Sequence, residues 1–229
     1  MELTGLSARR LARVAGAVYL IVIIGGAFAL GYVPGMLFVS GNAGATAHNI
    51  QAHELLYRLG LVAHLIILPA NVVLAVIFYD LFRIVSRRGA LLIVFFTLVG
   101  TAVEAAYLLN QFAPLSLLNG TYTGRLTTSE VQTLAYLPID LATVGYSMQQ
   151  LFYDGYLLCV AYLIFRSTFF PRWVGGLLVI GTLSYLIYSF ATFLSPAFAS
   201  HLVPIILLPS LVGEASMPPS TMVMNSSLL

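Results

Sequence analysis

The stretch LLYRLGLVAHLIILPANVVLAVIFYDLFRIV, residues Leu55 to Val85, decides the fold class. Between Arg58 and Asp80 it carries no Asp, Glu, Lys or Arg. An apolar run of about 20 residues is long enough to cross the hydrocarbon core of a bilayer as a helix. Further runs of this kind extend from Leu11 to Val33, Ala90 to Leu118, Leu141 to Phe165, Trp173 to Leu194 and Leu202 to Met217. Breakers separate them: Pro34-Gly35, Gly41 to Gly44, Ser86 to Gly89, Asn119 to Arg125, Pro171-Arg172 and Ser195-Pro196. The expected fold is an all-α polytopic transmembrane bundle of about six spans, the sixth short or incomplete. It is read as one domain over residues 1–217, followed by a polar tail, 218–229.

Composition agrees. The chain is 60% hydrophobic and 8% charged, whereas roughly a quarter of a soluble domain is charged. All ten cationic residues are arginine, so a lysine Schiff base is excluded. The lone Cys159 builds neither a disulfide frame nor a thiolate metal cluster within one chain. No Walker loop, nucleophile elbow, zincin helix or dinucleotide fingerprint is present. Nucleic acid is not an expected partner; the lipid bilayer is.

Arginine placement predicts orientation, because loops that stay in the cytoplasm retain positive charge. Arg9, Arg10 and Arg13 precede the first span; Arg83, Arg87 and Arg88 lie between the second and third; Arg166 and Arg172 lie between the fourth and fifth. Only Arg58 and Arg125 fall on the other side. The expectation is a plasma-membrane protein with a cytoplasmic N-terminus. Ala27-Phe28-Ala29 leaves open a cleaved signal peptide in place of the first span. Before the fourth span, Thr127-Thr128-Ser129-Glu130 has capping-box spacing and predicts a helix start at the surface.

Polar residues inside the spans carry the functional information, since an ionisable group at a helix centre costs roughly 2.5 kcal/mol or more on insertion scales. Glu104 lies near the middle of the third span, with Thr97, Thr101 and Gln111 on its face. A carboxyl there suits a proton carrier, an acid catalyst or a ligand anchor, or bonds a neighbouring helix as packing glue. On the fourth span Asp140, Thr143, Ser147, Gln150 and Asp154 form one stripe. Asp140 and Asp154 would stand roughly 21 Å apart along a helix, too far for a direct acid/base pair. Asp154 is the deeper and the stronger candidate.

On the second span His53, Tyr57, His64 and Asn71 share a face, with Glu54 and Arg58 spaced as an ion pair. His53 and His64 would be roughly 16 Å apart, so they cannot share a metal ion; a metal would need His201 or carboxylates of other spans. No metal and no cofactor is expected, and His64 reads as a hydrogen-bonded interior histidine. Asn71 follows Pro69 and is placed to bond carbonyls that the proline leaves free. Tyr185, Tyr188 and Thr192 share a face of the fifth span, either lining a cavity or marking an interface.

Several stretches in order carry a family resemblance: Arg13-Val-Ala-Gly-Ala-Val-Tyr19-Leu, Leu56-Tyr-Arg-Leu-Gly60, Leu163-Ile-Phe-Arg166-Ser with Pro171-Arg172, Gly181-Thr-Leu-Ser-Tyr185-Leu, Phe193-Leu-Ser-Pro196 and Leu208-Pro209-Ser-Leu-Val-Gly213-Glu214. Over about residues 8 to 216 the chain resembles the bacterial membrane family catalogued as domain of unknown function 4386. The resemblance implies a polytopic plasma-membrane protein of unassigned activity. Tyr188 stands where the family pattern has an aspartate, and Met217-Pro218-Pro219 interrupts the apolar run that the pattern continues. A helix from Leu202 to Met217 would be roughly 24 Å long, against a hydrocarbon core of about 30 Å.

The candidate ligand or proton site is therefore drawn from Glu104, Asp154, His64, Asn71, Gln111, Gln150 and Tyr188. The leading expectation is binding or transport of a small molecule or lipid in a polar intramembrane cavity. A membrane-embedded enzyme acting on a lipid or isoprenoid, with an intramembrane carboxyl as general acid, is the alternative; a structural or sensory subunit is the third.

Overall fold

A computed structural model describes residues 5–120, 125–167 and 171–195. The first long helix runs from α1 (Gly5–Gly26) through a π-helical segment (Ala27–Tyr32) into α2 (Val33–Leu37). Within the widened turn the Val33 N–H donates to the Phe28 carbonyl, five residues back. Pro34 follows directly. It has no N–H, and its ring opposes the carbonyl four residues earlier in a regular α-helix; a wider turn absorbs that mismatch without breaking the helix.

The chain then turns at Gly41, whose φ of +70° costs a residue without a Cβ little. Asn42 caps α3 (Ala43–Ala52), its side-chain oxygen accepting from the Ala45 N–H at 2.9 Å. Thr46 and Asn49 tie this short helix back to the Val39 and Leu37 backbone.

Next come α4 (Glu54–Phe82), α5 (Arg87–Asn110), the short α6 (Ala113–Leu118), α7 (Thr128–Arg166) and α8 (Arg172–Leu194). No β-strand element occurs among the described residues. The predicted capping box opens α7: the Thr127 N–H donates to Glu130 Oε2 at 2.7 Å, and the Glu130 N–H to Thr127 Oγ1 at 3.3 Å. From that start α7 runs as a single helix of 39 residues that passes through Pro138.

The fold is an all-α helical bundle. Among the described residues, four helical stretches are long and apolar enough to cross a membrane: Arg13–Leu37, Glu54–Phe82, Arg87–Leu118 and Arg172–Leu194. They correspond to the first, second, third and fifth expected spans. The fourth falls within α7, which has ample length but is diluted by Asp140, Gln149, Gln150 and Asp154. The expected sixth span and the tail lie outside the described residues. Outward positions such as Ile24, Ile66, Phe95, Ile187 and Leu194 are exposed apolar side chains.

By packing, the chain falls into two compact units. The first comprises Met1–Leu20, Ala70–Thr101 and Ser147–Leu229; its described core holds Phe78, Phe82, Ile93, Leu163, Ile164 and Leu178. Gly155 admits the Phe96 ring there: a Cβ on Gly155 would fall 2.7 Å from a ring carbon. The second comprises Ile21–Pro69 and Ala102–Tyr146, with a core of Val33, Leu37, Ile50, Tyr57, Leu61, Leu108 and Ile139. In this unit Gly60 of α4 packs on Val33 of α2, leaving 3.0 Å for a Cβ. Close approach of helices through small residues is the usual route to tight packing in lipid, where the hydrophobic effect supplies little force between helices.

Candidate functional site

The candidate site lies in the second unit. On α4, Tyr57, Leu61 and His64 repeat at spacings of about one helical turn and are all buried. On α5, Glu104, Tyr107 and Leu108 do the same and are buried, and the half-buried Gln111 follows just past the helix end. These faces meet. His64 Nε2 lies 2.8 Å from Glu104 Oε1, with side chains only 2% and 5% exposed. The Tyr107 ring sits edge-on to the His64 imidazole, centroids 5.9 Å apart and planes at 63°. Farther along, the Tyr57 hydroxyl donates to the Gln111 carbonyl at 2.7 Å, satisfying a backbone acceptor just past the end of α5.

Two acceptors cannot approach to 2.8 Å without a proton between them. Either the imidazole donates Nε2–H to a carboxylate, or a protonated carboxyl donates to a bare Nε2. In both forms the helices are joined through a shared proton. Glu104 Oε2 and the Tyr107 hydroxyl, both buried, have no hydrogen-bond partner among the described residues. A buried polar atom left unpaired costs about 1–3 kcal/mol, so these atoms call for water or a ligand.

Beside them is a cavity of about 320 Å³. Its polar wall is Tyr57, His64, Tyr107, Gln111, Thr143 and Tyr146; its apolar wall includes Ala29, Leu30, Val33, Pro34, Leu61 and Ile139. The π-helical turn and the residues just after it thus form one side. Ile139, Ala142, Thr143 and Tyr146 of α7 form another, at spacings of one helical turn. Gly145 lets α7 approach this wall, for it packs directly on the Tyr107 ring.

Residues 14–218 match the model of the family described as Domain of unknown function (DUF4386). The chain belongs to that family. The DUF4386 match spans every residue lining the cavity, and it agrees with the resemblance carried by the sequence motifs. No curated protein and no solved structure matches the chain.

Of the residues expected at a site in this DUF4386 protein, the second unit brings together His64 and Glu104 as a bonded pair and places His64 and Gln111, but not Glu104, in the cavity lining. Gln150 and Asp154 meet in the first unit instead: the Gln150 amide donates to Asp154 Oδ1 at 3.2 Å, both residues buried on the α7 stripe. Asn71 and Tyr188 also belong to the first unit and are half-buried.

The expected four-residue face on the second span is shortened. His53 is exposed at the end of α3, outside the long helix, because the chain breaks its helical course there, at φ −127° and ψ 43°. Thr97 spends its hydroxyl on the Ile93 carbonyl of its own helix, at 2.9 Å. Among the described residues no group of three or more His, Cys, Asp or Glu side chains could hold a metal ion.

Tyr107 and Tyr146 were not singled out by the sequence, although Tyr107 follows Glu104 by one helical turn and that spacing is a usable signal. Nothing in the sequence marks Ala29 to Pro34 as cavity wall.

Proposed function

We propose that this protein binds a small molecule, or the polar end of a lipid, in the second unit's cavity, as the working part of a membrane binding or transport protein. The observation that carries this reading is that His64, which lines a largely apolar cavity, is bonded at 2.8 Å to the buried Glu104, which does not itself line it. Buried ionisable groups are costly in a bilayer, and ones that face a cavity are the usual polar anchors of ligands and proton pathways. A volume of about 320 Å³ lies at the small end of ligand sites, about 300–1,000 Å³, and suits a ligand on the order of ten heavy atoms, a water's share being about 30 Å³. Positive-inside placement of arginine supports a plasma-membrane topology with the N-terminus in the cytoplasm.

The test uses the full chain in lipid nanodiscs. A panel of neutral, anionic and cationic small molecules is screened by thermal denaturation, and native mass spectrometry looks for co-purified lipid. A true ligand present at about a hundred times its Kd should stabilise the protein by about 2.7 kcal/mol. Filling the cavity with Ala142→Phe should abolish that gain, and counterflow in proteoliposomes then separates transport from binding. A chain that no compound stabilises, and that carries no bound molecule, would sink the reading.

A further inference from the structure

Resting on that reading of the cavity, we propose that its occupant is a small organic cation, and that the cation's entry displaces one proton from the His64–Glu104 pair. No Arg or Lys lines the cavity among the described residues. An anion would therefore enter without a countercharge in a medium of low dielectric, where an uncompensated charge is strongly disfavoured. A cation meets the opposite setting. The lining His64 is bonded to the buried Glu104 behind it, a carboxyl with one oxygen unpartnered among the described residues. Around the cavity stand four aromatic rings, Phe38, Tyr57, Tyr107 and Tyr146. Aromatic walls attract organic cations through the ring quadrupole, and more strongly when both are desolvated.

Charge balance ties the cation to a proton. With a single proton, imidazole Nε2–H donating to the carboxylate, the pair carries −1; with a second proton, on Nδ1 or on the carboxyl, it is neutral. A cation entering beside the singly protonated pair leaves the site neutral. Entering beside the doubly protonated pair, it leaves a net buried charge. Occupancy therefore expels the second proton to water, one charge in and one out.

The other titratable groups lining the cavity do not change this count. They are Tyr57 on α4, Tyr107 on α5 and Tyr146 on α7, phenols that stay protonated at neutral pH, while Ala29, Leu30, Val33 and Pro34 of the first long helix contribute none.

Choline is a suitable probe, because its quaternary ammonium does not titrate, and dimethylbutanol is its uncharged carbon isostere. Both are titrated calorimetrically into the full chain in nanodiscs at about pH 8 and about pH 6, the range in which histidine changes charge. Two buffers of different ionisation enthalpy count protons. The expected result is that choline binds and the isostere binds far more weakly. Choline affinity should fall by up to about tenfold per pH unit on acidification, with about one proton released per choline bound. Glu104→Gln should remove both the preference for charge and the proton release; the proton count on the unaltered protein needs no variant.

Choline binding without pH dependence or proton release, isostere binding as tight as choline, or no choline binding overturns the proposal. Tight isostere binding that Ala142→Phe abolishes would leave the cavity reading standing without the cation. Where neither probe binds, the compound panel judges the cavity separately.

Discussion

Gly145 of α7 lies against Tyr107 of α5 so closely that a Cβ on the glycine would fall 2.6 Å from Tyr107 Cβ and 2.8 Å from its Cγ. Neither atom belongs to a freely moving side-chain end, so Gly145→Ala must push the ring or part the helices. Overpacking of this kind costs about 1–3 kcal/mol. The variant should melt below the unaltered protein in the same lipid. An unshifted melting temperature for Gly145→Ala would contradict the packing.

The His64–Glu104 contact should behave as a coupled pair. Glu104→Ala leaves an imidazole nitrogen buried without its partner, a loss of about 1–3 kcal/mol, whereas Glu104→Gln keeps an acceptor oxygen and should cost less. His64→Ala together with Glu104→Ala should cost less than the sum of the single changes, with a coupling of about 0.5–3 kcal/mol. Equilibrium unfolding in mixed micelles measures the cycle. Strict additivity would mean that the two side chains do not interact in the folded protein.

At the start of α7, the Thr127 backbone N–H, and then its hydroxyl, bond to Glu130 and hold its carboxyl below the ordinary carboxylate range. A carboxyl lowered on folding stabilises above its unfolded titration, and that contribution is lost as pH falls through the lower folded one. The first turn of α7 should therefore be ordered at neutral pH and fray on acidification. Amide exchange at Glu130 and Val131 reports it; Thr127→Ala should exchange faster already at neutral pH, and Glu130→Gln should remove the acid dependence.

Topology is checked by cysteine labelling. With Cys159→Ser as background, Ser86→Cys should react with an impermeant maleimide only from the cytoplasmic side, and Asn119→Cys only from the opposite side, if arginine placement sets orientation. The reverse pattern would invert the bundle.

Much of this is legible in the sequence. Lengths and apolarity of the long runs, the box at Thr127 to Glu130, and the inward bias of His64 and Glu104 are local or compositional properties, written in a helical period or in the cost of a charge in lipid. Other features are not. The continuity of α7 through Pro138 depends on neighbours that hold a helix across a missing N–H. The widened turn before Pro34 is one of several ways to absorb a proline, and the residues around it do not choose among them.

By itself the sequence determined the long apolar runs, the helical fold and the few polar side chains set within them, because each is a property of one segment. Only the tertiary structure decided that Glu104 bonds His64, forty positions away in the chain, while Asp154 bonds Gln150 on its own helix. Partner choice between helices rests on how side chains interlock. Here that turned on places such as Gly60 and Gly145, where the absence of a side chain lets Val33 and the Tyr107 ring come close.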